Sequence, residues 1–391
     1  MIIRRKFIAA LVSSAFCGFA AQAKVASELS VPNIHSPEIE KQPFYPFIEL
    51  KGSAQQRGVT YGQSAAEQID RNIKFYASVF QSSAGIDWEK AKSLAAKFLP
   101  VIQKYSPESI EEMKGIAQGS GKSFEDILTL NCRSEVLFAN SDACTCIMVP
   151  AELGEGGNVF MGQTWDWLAK ARSNSVILKV EQEGRPEILM VCEAGLVGGK
   201  GLNSEGLGVC LNAASVGKGK IGMPLHLMMR NILNSSLPTE ALKAVSAVLR
   251  AGSGVFNIAS RSNYEMQVEF SPDAFDVIMS KGEALVHTNH YLSALIEPKD
   301  VAKSFISSTY TRLNGVQRQL SKMKGPISMK GLFRLLSDHE LYPESVCYHE
   351  DPRQSGERYC TVYAMVMDVT SGILWISAGY PCEGKISEYR L

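Results

Sequence analysis

Apolar residues before about position 143 recur at the spacing of a helix, whereas those after it alternate as in strands. Ser123 is followed three residues later by Asp126, an acidic variant of the capping-box spacing that marks a helix start. Just past Gly62, four large apolar residues follow one another at i, i+4, i+7 and i+11, as in an amphipathic helix. They are Ile69, Ile73, Tyr76 and Phe80. The first part of the chain is therefore predicted to be mostly helical, after an irregular lead-in over residues 24–45.

Beyond Cys144 the pattern changes to short runs rich in β-branched residues, joined by Gly-, Asn- and Ser-rich turns. The segments EGRP and NSEG are typical of hairpin turns. A helix pair interrupted near Leu237-Pro238 and a further helical zone over about 301–338 separate the strand runs. Helices before and between runs of antiparallel strands favour an α+β layered fold over alternating βαβ units.

Length and composition bound the class of protein. The chain has 391 residues, 45% hydrophobic and 20% charged, which suffices for one large domain or two ordinary ones. A formal net charge of +0 gives no indication of a polyanion-binding surface, so no nucleic-acid partner is predicted. No GxGxxG or GxxxxGK[ST] motif follows a strand, and no cofactor is predicted. The expected partner is a small molecule.

The first 23 residues have the three parts of a secretory signal. Residues 4–6 are basic, residues 7–20 are apolar, and Ala21-Gln22-Ala23 is an A-x-A cleavage site. Cleavage after Ala23 predicts a periplasmic or secreted protein. The alternative is an uncleaved membrane anchor, but the apolar run is shorter than the ~20 residues that a span needs. No stable membrane insertion is therefore predicted.

Nine cysteines become eight once the signal is removed, and an exported compartment permits disulfides. Cys347 and Cys360 flank a polar loop that a disulfide between them would close, but buried free thiols are an equally open alternative. The C-x-C spacing of Cys144 and Cys146 has no second ligand pair, and the two histidines of HTNHY have no carboxylate support. No metal site is therefore predicted.

The segment ANSDACTCIMV, residues 139–149, puts a cysteine at the head of a strand-like run. A thiol nucleophile needs a base and a donor for the oxyanion, and His290 of HTNHY is one possible base for Cys144. A second possibility is a cut between Ala143 and Cys144. The α-amine freed there titrates near pH 8, so it can take the thiol proton without a histidine. The residue types alone leave both possibilities open.

Six segments follow one another along the chain in a fixed order: DACTCIM, GQTWDW, GLNSEGLGVCLNA, PLHLMMRNIL, HTNHYL and VMDVTSGILWISAGYP. Together they resemble the isopenicillin-N acyltransferase family, the acyl-CoA:6-aminopenicillanic acid acyltransferases, which are self-processing N-terminal-nucleophile hydrolases. The resemblance implies a four-layer αββα sandwich of antiparallel sheets and chemistry through an acyl-thioester. It also implies self-cleavage into a mostly helical subunit, residues 24–143, and a catalytic subunit, residues 144–391, which form one fold.

Carried over by motif, the resemblance implies roles for five residues. Cys144 corresponds to the nucleophile and new N-terminus, and Asp166 of QTWDW to the acid that orients its amine. Asn289 of HTNH corresponds to a side-chain donor of the oxyanion hole. Asn212 of GVCLNA corresponds to a second polar position, and Arg312 of SSTYTRL to a buried arginine near the nucleophile. The simpler alternatives are a turn residue at Asp166, a strand cap at Asn289, a structural amide at Asn212 and a surface residue at Arg312.

The resemblance leads to an exported, autoproteolytic cysteine amidohydrolase or N-acyltransferase that acts on small N-acylated amides. Its own cleaved N-terminal fragment would be its heterodimer partner. Because an exported enzyme has no ready supply of acyl-coenzyme A, hydrolysis is expected rather than transfer. Two alternatives are a Cys–His peptidase without self-cleavage and a non-catalytic binding protein on the same fold.

Overall fold

The computed structural model describes residues 30–137, 143–304, 306–353, 355–356 and 358–391. The predicted signal segment, residues 1–23 with its cleavage point after Ala23, lies outside these ranges. Residues 30–33 contain no helix or strand, and every helix and strand of the described ranges lies within residues 34–391, which form one unit. No helix in the described ranges has both the length and the apolar character of a membrane span.

The helical periodicity of the first part corresponds to seven α-helices in the described residues before position 138. They are α1 (Ala54–Ser64), α2 (Ala66–Ala84), α3 (Trp88–Ala95), α4 (Leu99–Tyr105), α5 (Pro107–Ser120), α6 (Phe124–Asn131) and α7 (Arg133–Leu137). The apolar face of α2 is buried at Ile69, Tyr76 and Phe80. At the start of α6, Ser123 and Asp126 exchange side-chain-to-backbone hydrogen bonds in a capping box. Both sequence patterns therefore mark helices in the structure.

Fifteen strands of the described residues build two sheets. They are β1 (Glu38–Ile39), β2 (Phe47–Leu50), β3 (Ala143–Val149), β4 (Phe160–Leu168), β5 (Ser175–Val180), β6 (Ile188–Glu193), β7 (Lys200–Asn203), β8 (Leu207–Asn212), β9 (Gly254–Ser260), β10 (Tyr264–Phe270), β11 (Phe275–Met279), β12 (Leu285–His287), β13 (Tyr359–Asp368), β14 (Ile373–Ile376) and β15 (Lys385–Arg390). A seven-stranded sheet has the order β1-β15-β14-β13-β4-β3-β12, and an eight-stranded sheet the order β11-β10-β9-β8-β7-β6-β5-β2. Neighbouring strands are antiparallel with two exceptions. At an edge of the seven-stranded sheet β1 is parallel to β15, and at an edge of the eight-stranded sheet β2 is parallel to β5.

The remaining helices cover the outer faces of the two sheets. They are α8 (Leu225–Leu233), α9 (Pro238–Ser246), α10 (Ser308–Lys322) and α11 (Met329–Leu336), with short 3-10 helices at Ala96–Phe98, Glu155–Gly157, Ala169–Asn174, Glu297–Lys299, Ala302–Ser304 and Pro381–Glu383. α8 and α9 pack on the eight-stranded sheet, α10 and α11 pack on the seven-stranded sheet, and the sheets face each other where β3 meets β8 and β9. The predicted α+β, four-layer αββα sandwich is confirmed. The two parallel edge pairs are the departure from purely antiparallel sheets.

Helices α1 and α5 meet backbone to backbone at two pairs of glycines. Gly58 and Gly62 of α1 face Gly115 and Gly119 of α5. A β-carbon at Gly115 would lie 2.2 Å from the carbonyl oxygen of Gln55, whereas real β-carbons essentially never come within 3.0 Å of a heavy atom from another part of the chain. The crossing therefore has no room for any side chain.

Buried charges join the helices of the first part to residues beyond β3. Glu112 of α5 accepts hydrogen bonds from Arg230 of α8 at 3.0 and 2.9 Å and from Arg57 of α1 at 3.1 Å. Glu193 of β6 accepts a hydrogen bond from the hydroxyl of Tyr76 at 2.6 Å. Because a buried charge that loses its partner is costly, these contacts hold the first part of the chain against the rest.

The eight cysteines of the described residues are all buried and free. Cys347 and Cys360, whose state the sequence left open, therefore form no disulfide in the structure. Cys347 lies instead within hydrogen-bonding reach of Cys382.

Candidate active site

Cys144 lies at the point where the hydrogen-bond ladder of β3 loses its partner strand. β12 ends at His287, which pairs with Cys146. If the antiparallel register continued, Asn289 would be the residue opposite Cys144. The backbone groups of Cys144 on this side need other partners, because buried backbone N–H and C=O groups are almost always hydrogen-bonded. Side chains provide them.

Asn289 binds the backbone nitrogen of Cys144. Its Oδ1 accepts from that N–H at 3.1 Å, and its Nδ2 donates to the carbonyl oxygen of Ala213 at 3.0 Å. The backbone N–H of Asn289 donates to Thr309 Oγ1 at 2.8 Å, which fixes the residue from a third side. If the Asn289 amide were flipped, its NH₂ group would face the N–H donor of Cys144, so the surroundings determine the orientation of the amide. In the uncut chain the Nδ2 group predicted to serve an oxyanion is thus engaged by Ala213.

Arg312 of α10 extends across the end of β3 and is only 2% exposed. Its Nη1 donates to the carbonyl oxygen of Cys144 and to Thr145 Oγ1, both at 2.8 Å, and its Nη2 donates to Asn289 Oδ1 at 2.7 Å. Burial lowers the pKa of the guanidinium, while the carboxyl of Asp166 acts in the opposite direction. Arg312 is therefore not a surface residue.

Asn212 reaches Cys144 from the opposite sheet, at the end of β8. Its Nδ2 donates to the carbonyl oxygens of Cys144 at 3.2 Å and His287 at 3.3 Å. Its Oδ1 accepts from Asn257 Nδ2 at 2.6 Å and Gln163 Nε2 at 3.2 Å. Asn212 therefore links the sheets and completes the shell around the Cys144 backbone.

Asp166 lies directly opposite Ala143 in the register of β3 with β4, and opposite Thr361 in the register of β4 with β13. It is thus a strand residue and not a turn residue. Its Oδ1 accepts from Thr361 Oγ1 at 2.7 Å, and its Oδ2 accepts from Thr164 Oγ1 at 3.4 Å. Burial raises the pKa of Asp166 to about 7, although Arg312 and Thr361 act in the other direction.

The thiol of Cys144 and the carboxyl of Asp166 point to opposite faces of their sheet. Cys144 pairs with Trp165, and side chains alternate along a strand, so the next residue, Asp166, faces the other way. The Asp166 carboxyl therefore lies on the side of the sheet opposite to the Cys144 thiol, next to the peptide bond between Ala143 and Cys144. This position suits contact with an amine at Cys144 better than contact with its sulfur.

The histidines of HTNHY are occupied by other groups. One ring nitrogen of His287 lies 2.8 Å from Glu269 Oε1, and the other lies 3.0 Å from a backbone carbonyl oxygen. His290 Nδ1 lies 2.8 Å from Thr309 Oγ1, and burial lowers the pKa of His290 to about 4. A base that weak takes little of a thiol proton at neutral pH, which weakens the possibility of a Cys144–His290 pair.

Sequence reasoning missed Lys200 and Thr361. Lys200 begins β7 and is 7% exposed, and its Nζ has no hydrogen-bond partner among the described residues. The Nζ lies 5.3 Å from the ring centroid of Trp165 and 5.5 Å from that of Tyr363. A lysine inside the apolar, Gly-rich run LVGGKGLN was the available signal. Thr361 could not be found, because its contact with Asp166 depends on strand register.

The structure thus brings Cys144, Asp166, Asn212, Asn289 and Arg312 into one buried shell. Three side chains hold the backbone of Cys144, and an acid with a raised pKa lies beside the peptide bond that precedes it. If that bond were cut, the same shell would surround a free amine next to a thiol. Such an arrangement can carry out acyl transfer at sulfur.

Comparison with known proteins adds a family to this geometry. The sequence model of the family described as acyl-coenzyme A:6-aminopenicillanic acid acyl-transferase matches residues 153–382. That range includes Asp166, Asn212, Asn289 and Arg312 and begins after Cys144. The chain is also similar to the 40 kDa form of acyl-coenzyme A:6-aminopenicillanic-acid-acyltransferase from Emericella nidulans. The two are 25% identical over 339 residues, which are 85% of this chain and 92% of the relative.

Two solved structures share a more distant likeness. One is a mutant of conjugated bile acid hydrolase from Clostridium perfringens, with a TM-score of 0.39 and 12% identity over 63% of this chain and 97% of that chain. The other is penicillin V acylase from Agrobacterium tumefaciens, with a TM-score of 0.32 and 13% identity over 60% of this chain and 83% of that chain.

Proposed function

Because the chain belongs to the acyl-coenzyme A:6-aminopenicillanic acid acyl-transferase family, we propose that it is a self-processing amidohydrolase whose nucleophile is Cys144. Membership of this family makes it an enzyme of amide acyl transfer or hydrolysis. Self-cleavage, export and the preference for water as acyl acceptor are the further parts of the proposal.

One contact carries the proposal, the hydrogen bond from the backbone nitrogen of Cys144 to Asn289 Oδ1 at 3.1 Å. In the uncut chain this nitrogen belongs to the peptide bond with Ala143. After a cut it would be an α-amine held by the same oxygen and attached to the same residue as the thiol. An α-amine titrates near pH 8, so it can accept the thiol proton at neutral pH. Nucleophile and base would then come from one residue.

In the proposed self-cleavage, Cys144 Sγ attacks the carbonyl carbon of Ala143. The bond from that carbon to the nitrogen of Cys144 breaks, and the thiol proton ends on the nitrogen, which becomes the amine. Water then hydrolyses the thioester, leaving a carboxyl group at Ala143 and a free thiol at Cys144. Asp166, directly opposite Ala143, would stabilise the ammonium form of the new amine, since an opposite charge nearby favours it.

In the proposed turnover, the α-amine takes the proton of Cys144 Sγ, and the thiolate attacks the carbonyl carbon of a substrate amide. The amide C–N bond breaks, the ammonium returns its proton to the leaving amine, and the acyl group remains on sulfur as a thioester. Water releases it as a carboxylic acid. Proton transfer of this kind contributes about 10²–10⁴-fold. A side-chain amide donor at the oxyanion, the role proposed for Asn289, contributes about 10²–10³-fold.

We propose small N-acylated amides as substrates, and Lys200 adds a feature to them. Its buried ammonium comes from the eight-stranded sheet and lies against the face of the seven-stranded sheet that carries the Cys144 side chain. Trp165, the strand partner of Cys144 on that face, has its ring centroid 5.3 Å from Lys200 Nζ. A buried cation is stable only when an anion or hydrogen-bond acceptor compensates it. A carboxylate on the substrate would do so. N-acyl amino acids combine this group with a cleavable amide.

Intact mass and N-terminal sequencing of purified wild-type, Cys144→Ala and Cys146→Ala protein test the proposal. Signal removal and self-cleavage predict pieces of about 13 and 27 kDa, scaled from 42.7 kDa over 391 residues. The smaller piece is expected to begin at Lys24 and the larger at Cys144. Cys146→Ala is the matched control, because Cys146 is also buried, two residues further along the same strand face. It should be cut like the wild type.

Cys144→Ala is expected to stay whole and to release no acid from N-acyl amino acids. A wild-type chain that remains uncut would overturn the α-amine mechanism, and so would a Cys144→Ala chain that is cut. If the uncut wild type hydrolyses amides and His290→Ala abolishes that activity, a Cys–His peptidase takes its place. An uncut and inactive wild type would leave a binding protein on the same fold.

A further inference from the structure

Four buried side chains that the catalytic proposal does not use meet at one point near the C-terminus. They are His339, Cys347, His349 and Cys382, and one potential ligand atom from each lies within 4.8 Å of all the others. The exposed fractions are 9% for His339, 0% for Cys347, 7% for His349 and 2% for Cys382. The first three residues belong to the connection between α11 and β13, and Cys382 to the 3-10 helix Pro381–Glu383.

The three distances from His349 Nε2 to the other ligand atoms are close to the edge lengths of a tetrahedral metal site. His349 Nε2 lies 3.1 Å from His339 Nε2, 3.3 Å from Cys347 Sγ and 3.6 Å from Cys382 Sγ. Around a tetrahedral zinc ion with ordinary bond lengths, two nitrogens are about 3.4 Å apart, and a nitrogen and a sulfur are about 3.6 Å apart. Small shifts would bring all four atoms to coordinating distance.

We propose that His339, Cys347, His349 and Cys382 form a structural zinc site. Two thiolates and two imidazoles are the Cys₂His₂ ligand set that zinc takes in structural sites. Magnesium and calcium prefer oxygen ligands, so this donor set disfavours them. Four protein ligands leave no open position for water, which separates the site from a catalytic one. The prediction from sequence that the protein has no metal site would then be wrong.

The surroundings of the cluster hold its ligands in position. The ring of His349 stacks on that of Tyr380 with centroids 4.0 Å apart, and the guanidinium of Arg172 lies 4.3 Å from the centroid of Tyr380. The ring of His339 meets that of Tyr342 edge to face, with centroids 5.9 Å apart. Metal affinity depends on such outer contacts, because they fix the orientation of the imidazoles.

The zinc site would also brace the acid of the candidate active site. Tyr348 lies between two of the proposed ligands in the chain, and its backbone N–H donates to Thr361 Oγ1 at 2.9 Å. That hydroxyl in turn donates to Asp166 Oδ1 at 2.7 Å. A metal that fixes residues on both sides of Tyr348 would therefore fix the partner of Asp166 as well. Its role would be positional.

Metal analysis of the purified full-length protein tests the site. Wild-type protein, purified without chelators and dialysed, is expected to retain about one zinc ion per chain. Cys382→Ser and His349→Ala are expected to lose most of it. Cys360→Ser is the matched control, because Cys360 is a buried thiol close in sequence that lies outside the cluster, and it should keep its zinc. Cys144→Ala should also keep zinc, which separates this test from that of self-processing.

Cobalt substitution provides a second measurement. It uses only the wild-type chain, so a variant that fails to fold cannot affect the result. Wild-type protein stripped of zinc and loaded with Co²⁺ should show the thiolate charge-transfer and intense visible bands of a tetrahedral S₂N₂ site. A wild-type chain without zinc that also fails to develop these bands would overturn the proposal. So would a mass lower by two hydrogen atoms together with a mapped Cys347–Cys382 disulfide, because oxidised sulfurs cannot bind the metal as thiolates.

Discussion

The side-chain oxygen of Asn289 accepts a hydrogen bond from the backbone nitrogen of Cys144 at 3.1 Å, across 145 positions of sequence. Both residues are fully buried. The contact takes the place of a backbone hydrogen bond between β12 and β3, because β12 ends at His287 and does not extend to the position opposite Cys144. The nitrogen proposed to become the catalytic amine is therefore held in place before any bond is broken, so processing would need little rearrangement around it.

Asn289→Ala is expected to slow self-cleavage by about 10–100-fold, the usual cost of losing a buried hydrogen bond to a charged group, here Arg312. Amide turnover is expected to fall by about 10²–10³-fold, the contribution of one oxyanion donor. The substitution removes the acceptor for Cys144 and leaves Arg312 Nη2 without its 2.7 Å partner. Rates of fragment appearance and kcat measure the effect. Ser308→Ala is the control, because it removes only a long hydrogen bond, 3.4 Å from Arg312 Nε to Ser308 Oγ. Equal loss in both variants would count against a specific role for Asn289.

The raised pKa of Asp166 predicts that the free energy of unfolding of the uncut chain depends on pH. Burial raises its pKa to about 7 from 3.8, so between these values the folded chain holds a proton that the unfolded chain has released. Stability is therefore highest below about pH 4 with respect to this group, and falls as the pH rises to about 7. Urea unfolding of Cys144→Ala at several pH values measures the slope.

Cys144→Ala/Asp166→Asn isolates the contribution of Asp166, because burial also raises the pKa of Glu135 and of Glu265 to about 7. The double variant should lose part of the decline in stability with pH. The processed wild type should lose part of it as well, since the new ammonium lowers the pKa of Asp166. An identical slope in single and double variants would mean that Asp166 is already ionised at low pH.

Lys200→Met is expected to raise KM for N-acyl amino acids by about 10-fold or more, while KM for the matching uncharged N-acyl amides changes little. The reason is the loss of a buried ammonium that would pair with the substrate carboxylate, a contact worth about 1.5–3 kcal/mol. Lys200→Arg, which keeps the charge, is the control. A uniform loss with both substrate classes would indicate that Lys200 serves the structure of the site and not substrate choice.

Arg230→Met is expected to destabilise the chain by about 3–5 kcal/mol, because it leaves Glu112 buried with one cation removed. In processed protein the same change should promote separation of the two fragments in size-exclusion chromatography. Arg71→Met is the control, since Arg71 forms an exposed ion pair with Glu67 at 3.6 Å, and such pairs are worth about 0–1 kcal/mol. Similar unfolding midpoints for both variants would refute the prediction.

Gly115→Ala should destabilise the contact between α1 and α5 by at least about 1–3 kcal/mol, the usual cost of overpacking. Its new β-carbon would lie 2.2 Å from a backbone oxygen, which cannot move as a side chain can. Gly331→Ala in α11 is the control, because the nearest atom to a β-carbon there is 3.5 Å away. Thermal unfolding compares them. A stabilised Gly115→Ala would mean that the helices sit further apart.

Much of the fold follows from patterns that are local in the sequence. The helix period predicts α2, and the capping-box spacing predicts the start of α6 at Ser123. Alternation and turn residues predict most strands of both sheets. They do not predict β1, which lies in the expected irregular lead-in, or β15 at the end of the chain. The sequence could not predict that β1 and β2 join the sheet edges in parallel, because strands with no sequence neighbour in the sheet carry no turn signal for their pairing.

The candidate site could be selected by resemblance but not assembled from the sequence. Asn289 and Arg312 carry no local sign of their contacts with Cys144, which depend on β12 ending at His287 and on the burial of one face of α10. The four proposed zinc ligands show the same limit. Cys382 lies far from the other three in sequence, and only the turn after β14 brings it back to them.

The edges of the two sheets bear on how the protein is made. The region before Ala143 supplies one of the two edge strands of each sheet, β1 beside β15 and β2 beside β5. A gene segment that begins at Cys144 would encode sheets in which β15 and β5 are uncovered edge strands, and open edges invite pairing with foreign chains. Synthesis of both parts on one ribosome delivers them in equal stoichiometry and keeps each edge next to its cover from the outset. A later cut would then divide a chain that has already folded. Recombinant production would therefore have to start from a gene that encodes both parts as one chain.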